Sequence, residues 1–369
     1  MEDNFFSPSF GNRPAQLVGR EEVIARFLEG LSEAPGSRSR STVLLGQRGS
    51  GKTVLLWELA DRARELDYVV ATPTVATEGM LERVVEKIQE DGLRFANDAS
   101  APRVSGASMP IMGFTVGLEF SREVQQTKSL SFRLVQLARK LSSENHGLLV
   151  LIDELQANSP EVRQLVTVYQ EMVGEGLNVA LVMAGLPGAV AATLNDHVLT
   201  FLNRAHKETL GPLKISAVDS YYQRAFDSLG IEMDGETRLL AAKATSGSPY
   251  LLQLIGYNIA LRVGSGRKVS QVVLDGAIEA SREDFENDVC RTTLAALSQR
   301  DCEFLKAMSA DDDATRMSEV ATRMGVTQDY AQKYRRRLID AGVIEACGRG
   351  LVRFAVPFLR GYLRADTWE

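Results

Sequence analysis

The stretch Thr42-Val43-Leu44-Leu45-Gly46-Gln47-Arg48-Gly49-Ser50-Gly51-Lys52-Thr53 decides the fold. Its last eight residues satisfy G-x-x-x-x-G-K-[ST], and they stand where such a loop works. An apolar strand precedes them, and a helix with Leu55, Leu59, Ala63 and Leu66 on one stripe follows. The glycines let the backbone turn its N–H groups onto phosphate oxygens at a helix N-terminus, where the helix dipole also favours an anion. In that arrangement Gly46, Gln47, Arg48, Gly49, Ser50 and Gly51 cradle the phosphates of ATP or ADP. Lys52 reaches the β- and γ-phosphates, and the Thr53 hydroxyl ligates Mg²⁺.

Outward from this loop, strand-length apolar runs recur at 68–71, 148–152, 179–184 and 207–210, with helical patterns between most of them. Near-continuous apolar strands separated by helices describe a parallel sheet covered on both faces. A nucleotide site on such a sheet needs an acid at a neighbouring strand's end to hold the metal, and a base beside it for hydrolysis. Leu148-Leu149-Val150-Leu151-Ile152-Asp153-Glu154 supplies both: Asp153 positions Mg²⁺ through its water shell, and Glu154 polarises the attacking water. Arg204 has two readings that its surroundings leave open. It presents its planar charge to a neighbouring subunit's γ-phosphate, or it is a surface arginine.

The rest of the chain divides around that core. Residues 14–31 read as a loop entering an amphipathic helix, and 32–41 as a linker. Residues 97–126, punctuated by Gly106, Gly113 and Gly117, read as a hairpin or mobile loop inserted in the sheet domain. Beyond Ile215 the strand signal ends and helices are expected near 217–229, 236–244, 250–263 and 270–289. After the acidic run Asp311-Asp312-Asp313 come helices at 318–324 and 328–341, the second capped by Thr327. A hairpin turning at Gly348-Arg349-Gly350 completes a winged helix. The domain boundaries so read are 1–214, 215–290 and 291–369.

At this point the residues resemble a family. Leu17-Val18-Gly19-Arg20-Glu21-Glu22, the phosphate loop, the Asp153-Glu154 strand, Ala184-Gly185-Leu186-Pro187 and Ser246-Gly247-Ser248-Pro249-Tyr250 follow the order seen in AAA+ ATPases, in particular the origin-recognition and STAND-type branch. The resemblance implies an α/β P-loop AAA+ parallel-sheet core, an α-helical lid and a C-terminal winged-helix domain. It places Val18, Gly19 and Arg20 near the adenine and Pro249 at the lid side of the nucleotide. Two departures stand out. Many relatives carry a polar side chain at the strand tip where this chain has Ala184-Gly185, and a lid arginine where it has Tyr250. Both imply slow, switch-like ATPase turnover.

Composition sets the outer bounds. A chain of 369 residues that is 44% hydrophobic and 24% charged is ordinary globular protein of two or three domains, not a disordered or coiled-coil one. No run approaches the roughly 18 apolar residues of a membrane helix, and Met1-Glu2-Asp3-Asn4 lacks a secretion signal, so a cytoplasmic location without membrane is expected. Cys290, Cys302 and Cys347 form neither a disulfide framework nor a metal motif. The net charge of −6 is uneven. Residues 314–369 hold ten Lys and Arg against six acids, a net +4, which leaves −10 on the remaining 313 residues. That basic module is expected to bind double-stranded DNA through Lys333, Tyr334, Arg336, Arg337, Arg349 and Arg353, chiefly by neutralising phosphates. The competing expectation is a signalling or scaffold ATPase whose winged helix docks a protein. A homo-oligomer or a protein partner is expected in either case.

Overall fold

The computed structural model describes residues 5–8, 13–14, 16–96, 129–197, 199–263 and 267–365. The insert expected at 97–126 lies outside the described residues.

In chain order the core comprises α1 (Glu21–Ser32), a 3-10 turn (Arg38–Arg40), β1 (Ser41–Gly46), α2 (Lys52–Arg64), β2 (Tyr68–Val75), α3 (Met80–Asp91) and α4 (Leu93–Ala96). It continues with α5 (Leu130–Ser143), β3 (Gly147–Leu155), α6 (Pro160–Gly174), β4 (Val179–Gly185), α7 (Pro187–Leu194), a second 3-10 turn (Thr200–Arg204) and β5 (His206–Leu210). The five strands are parallel in the order β2-β3-β4-β1-β5. Successive residues of β1 to β4 bury alternate faces, while the edge strand β5 leaves Lys207 and Thr209 exposed. Val43, Val69 and Val150 meet α3, α5 and α6, while Leu44, Val70 and Leu149 meet α1 and α2. Both faces are therefore dry, which is why these strands read as unbroken apolar runs.

The helices start where side chains can take the free N–H groups of the first turn. Ser129, Ser159, Ser248 and Ser270 each accept such a bond, and Pro160 and Pro249 occupy first-turn positions that have no need of a donor. The four lid helices are α8 (Ile215–Ser228), α9 (Gly235–Ala244), α10 (Pro249–Arg262) and α11 (Gln271–Phe285). A π-turn (Glu286–Arg291) carries α11 without a break into α12 (Thr292–Ala295), and after a short turn α13 (Gln299–Ser309) starts at the Ser298 cap. The terminal module follows as β6 (Thr315–Arg316), α14 (Met317–Met324), α15 (Gln328–Asp340), β7 (Ile344–Gly348), β8 (Leu351–Phe354) and α16 (Leu359–Arg364), its sheet ordered β6-β8-β7. Its core is not its own: Leu251, Leu254 and Phe285 from the lid pack into the same cluster as Phe304, Leu338 and Val352.

One expected linker is an anchor instead. Arg40, in the stretch read as a loop at 32–41, is only 4% exposed. Its guanidinium donates to Leu31 O at 2.7 Å, to Glu33 O and to Asn178 Oδ1 at 2.5 Å, fastening the end of α1 to the loop before β4. Composition alone marked that stretch as polar, and it could not show where the arginine points.

Candidate functional site

The phosphate loop spans the turn from β1 into α2. Gly49 and Gly51 take left-handed φ values of 74° and 83°, which glycine adopts without steric cost. Lys52 folds back over the loop, its Nζ donating to Gly46 O at 2.8 Å and Gln47 O at 2.7 Å. Among the described residues, Ser50 Oγ and Gln47 Oε1 are buried with no hydrogen-bond partner. A cradle of turned glycines, a helix N-terminus, a half-buried ammonium and the unpartnered Ser50 hydroxyl, which can donate, fits a polyphosphate ligand.

Opposite the loop, β3 ends in a bulge. Ile152 pairs with Met183 but Leu155 with Gly185, so three residues of β3 face two of β4. The bulge re-aims the two acids. Asp153, only 6% exposed, accepts from Thr53 Oγ1 at 2.6 Å and from the Glu154 amide at 2.8 Å. Glu154 is exposed and held at φ 50°, a strained conformation for a side-chain-bearing residue and one that concentrates at functional sites. Thr53 and Asp153 thus converge where a cation would sit between protein and phosphate. Among the described residues no cluster of three or more His, Cys, Asp or Glu could hold a metal ion, so a cation here needs the phosphates as partners.

Burial lowers the Lys52 ammonium from its ordinary 10.5 to about 8. Asp153 and Glu154 oppose the shift, and Arg48 adds to it. The unfolded chain keeps this lysine charged to its ordinary value. Between about pH 8 and 10.5 the unfolded state therefore binds more protons, and the lysine's burial penalty on stability fades as pH rises through that window. Nucleotide affinity runs the other way, because phosphate needs the charged form. Affinity is expected to be flat below about pH 8 and to fall by up to about tenfold per pH unit above it. Calorimetric titration with ADP across that range, with proton uptake measured from the buffer dependence of the heat, checks this; constant affinity to pH 9.5 or so would exclude it.

The remaining expected residues divide. Val18 is partly buried against the lid core, and a Cβ on Gly19 would meet Leu213 Cδ2 at 3.3 Å, so this box lines the hinge between sheet and lid. The Arg20 guanidinium is buried and engaged within the protein. It donates to Ser50 O at 3.3 Å and Gly211 O at 2.8 Å, tying this box to the phosphate loop and to the turn after β5. Pro249 and Tyr250 lie over the loop: a Cβ on Gly51 would come within 3.7 Å of Pro249, and one on Gly49 within 3.8 Å of Tyr250 Cβ. Arg204 is exposed just before β5, where His206 pairs with Thr42 and Leu210 with Gly46. At about 3.3 Å per strand residue, that puts it roughly 20 Å from its own phosphate loop. Its own phosphate loop is therefore out of its reach.

Two expected DNA-facing residues are engaged within the protein, Tyr334 by burial and the half-exposed Arg337 by an ion pair. Tyr334 is 8% exposed, its hydroxyl bonded to Tyr330 at 2.9 Å. Arg337 clamps α13: its Nε donates to Asp301 Oδ1 at 2.9 Å, and Nη2 reaches Asp301 Oδ2 and Ser298 Oγ, the pair that caps that helix. Helical spacing groups residues on one face but cannot show that an acid 36 positions earlier already occupies the arginine. Arg353 pairs with Glu345 on the wing at 2.5 Å. Lys333, Arg336 and Arg349 are exposed and make no ion pair among the described residues.

A further contact went unread in the sequence. A Cβ on Gly342 would lie 2.0 Å from Gln47 Oε1, and one on Gly188 would lie 2.7 Å from Asp340 O. The C-terminal end of α15 therefore abuts both the phosphate loop and the first turn of α7, which follows β4. Gly342 reads as an ordinary helix terminator, which its φ of 72° also makes it, and that role hid the second one.

Residues 16–182 match the AAA ATPase domain family, and residues 287–363 match a domain of unknown function, DUF8462. No curated protein matches the chain. Among solved structures, the Walker-type ATPase PABY2304 of Pyrococcus abyssi is similar at 17% identity, over 95% of this chain and 97% of that one, with a TM-score of 0.68. The ORC2 protein of Aeropyrum pernix, solved as ADPNP-ADP complexes, is similar at 14% identity, over 98% of both chains, with a TM-score of 0.62. Cdc6p of Pyrobaculum aerophilum is similar at 15% identity, over 100% of this chain and 99% of that one, with a TM-score of 0.50. Such identities speak to fold alone. The phosphate loop, the Thr53–Asp153 pair and these likenesses agree: residues 16–182 belong to the AAA ATPase domain family, and the chain has an Orc/Cdc6-like P-loop AAA+ fold.

Proposed function

We propose that the chain is a nucleotide-dependent switch that binds ATP with Mg²⁺ between the phosphate loop and α10, hydrolyses it slowly, and holds double-stranded DNA with its C-terminal module. The observation that carries the reading is the bulged end of β3, which holds Asp153 at 2.6 Å from Thr53 and leaves Glu154 exposed beside it. Thr53 and Asp153 would hold the cation, which would supply positive charge to offset that of the phosphates. Lys52 leaves the Gly46 and Gln47 carbonyls for the phosphates. Glu154 accepts a proton from the attacking water. Nothing polar ends β4 to orient that water, since Gly185 is followed by Leu186 and Pro187, and this supports slow turnover. Arg204 serves a neighbouring copy's site if the chain assembles. Among the described residues no helix is long and apolar enough to cross a membrane.

DNA contact rests on Lys333 and Arg336 along α15 and Arg349 at the wing tip, three exposed cations of a module with net charge +4. Three phosphate contacts predict a salt slope of about −3 in log affinity against log salt concentration. Fluorescence anisotropy with duplex DNA, with and without ATP, measures it. The triple variant Lys333→Glu/Arg336→Glu/Arg349→Glu should lose binding at low salt while keeping its melting temperature. Arg337 is left out, because removing it strands the buried Asp301 carboxylate and destabilises the module. A wild type with no DNA affinity at low salt would hand the module to a protein partner.

A further inference from the structure

The segment Phe5–Ser7 is separated by almost 250 residues from the helix it grips. Phe6 is 6% exposed, its ring lodged in the lid against Tyr221 and Tyr222 with centroids 5.9 Å away and Phe226 at 5.2 Å. Tyr221 donates to Phe5 O at 2.5 Å, and the Ser7 amide donates to Gln253 Oε1 at 2.8 Å. The ring lies so close to α10 that a Cβ on Gly256 would sit 2.1 Å from Phe6 Cε1. The same helix begins at Pro249, over the phosphate-loop glycines. Pro249, Gln253 and Gly256 are spaced four and three residues apart, one stripe along two turns, or about 10 Å.

We infer that Phe6 is a positioning residue for the nucleotide site: it clamps α10 from one end of that stripe so that Pro249 and Tyr250 stay seated on the phosphate loop at the other. The inference rests on the nucleotide-binding reading above. A helix is stiff along its axis, so freeing Gln253 and Gly256 lets the N-terminus of α10 tilt away from Gly49 and Gly51. The bound phosphates then lose a wall. Phe6 touches no phosphate itself, and it is far enough from Lys52 and Asp153 for its loss to leave their chemistry intact.

The experiment is a double-mutant cycle on the full chain, read by fluorescent ADP titration alongside thermal melting. Phe6→Ala should weaken ADP binding by roughly tenfold, within the span of measured site-to-site couplings, and Phe6→Leu should restore most of it. Gly256→Ala drives a methyl into the ring and should weaken binding as well. In Phe6→Ala/Gly256→Ala the clash is gone, so the pair should bind better than the two single losses added together predict. A Phe6→Ala protein that melts lower yet binds ADP as tightly as wild type overturns the clamp and leaves only a structural anchor. Strict additivity of the two losses overturns the contact. A wild type that binds no ADP overturns the underlying reading, and the clamp with it.

Discussion

Lys52→Ala should abolish nucleotide binding. The ammonium is the half-buried cation of the loop, because Arg48 points to solvent, and it already sits 2.7–2.8 Å from two loop carbonyls that frame the phosphate position. Truncating one partner of a buried charge pair costs about 2–5 kcal/mol, or thirty- to several-thousand-fold in affinity. Calorimetric titration with ATP and ADP measures the loss. The melting temperature of the nucleotide-free protein should hold or rise, because the alanine no longer carries the burial penalty that lowers this lysine. Affinity for ADP within a few-fold of wild type would sink the phosphate-loop assignment.

Glu154→Gln should bind ATP nearly as wild type does and turn it over about 10²–10⁴ times more slowly, the usual worth of a positioned general base. Glutamine keeps the size and leaves the Glu154 amide bonded to Asp153 Oδ1, so the metal ligand stays oriented. Single-turnover phosphate release separates the two effects, since binding and hydrolysis are read independently. A companion variant tests the strain. Glu154→Gly relaxes a φ of 50° and should raise stability by about 1 kcal/mol while losing turnover equally. Stability bought by deleting the acid would mean that the bulge exists for the chemistry and not for the fold. Undiminished turnover in Glu154→Gln would remove this residue from its role.

The sheet was readable because its strands are buried on both faces. Val43 and Leu44 serve opposite cores, so the run carries no polar break and shows at once in one dimension. The phosphate loop was readable because backbone geometry demands glycine at fixed places. What escaped depends on contacts across long separations. Phe6 meets Gly256, Arg40 meets Asn178, and Arg337 meets Asp301, each a pairing that no local pattern encodes. Helix α13 was missed although Ser298 and Asp301, three positions apart, form the capping box that announces a helix and Phe304, Leu305 and Met308 give it a buried stripe. The DNA face was over-read because an arginine counts the same in a charge sum whether or not an acid already holds it.

The shared core of lid and terminal module changes what a truncation can mean. Cutting the chain before the winged helix would expose Leu251, Leu254 and Phe285 to water, and freeing the module would bare the opposite wall of the same cluster. Each of those side chains costs about 1.5–3 kcal/mol to hydrate. Neither fragment is then a fair witness to what the intact protein does, because a fragment that clumps or sticks to DNA reports its raw apolar surface. Charge reversals at the module's surface leave that seam closed.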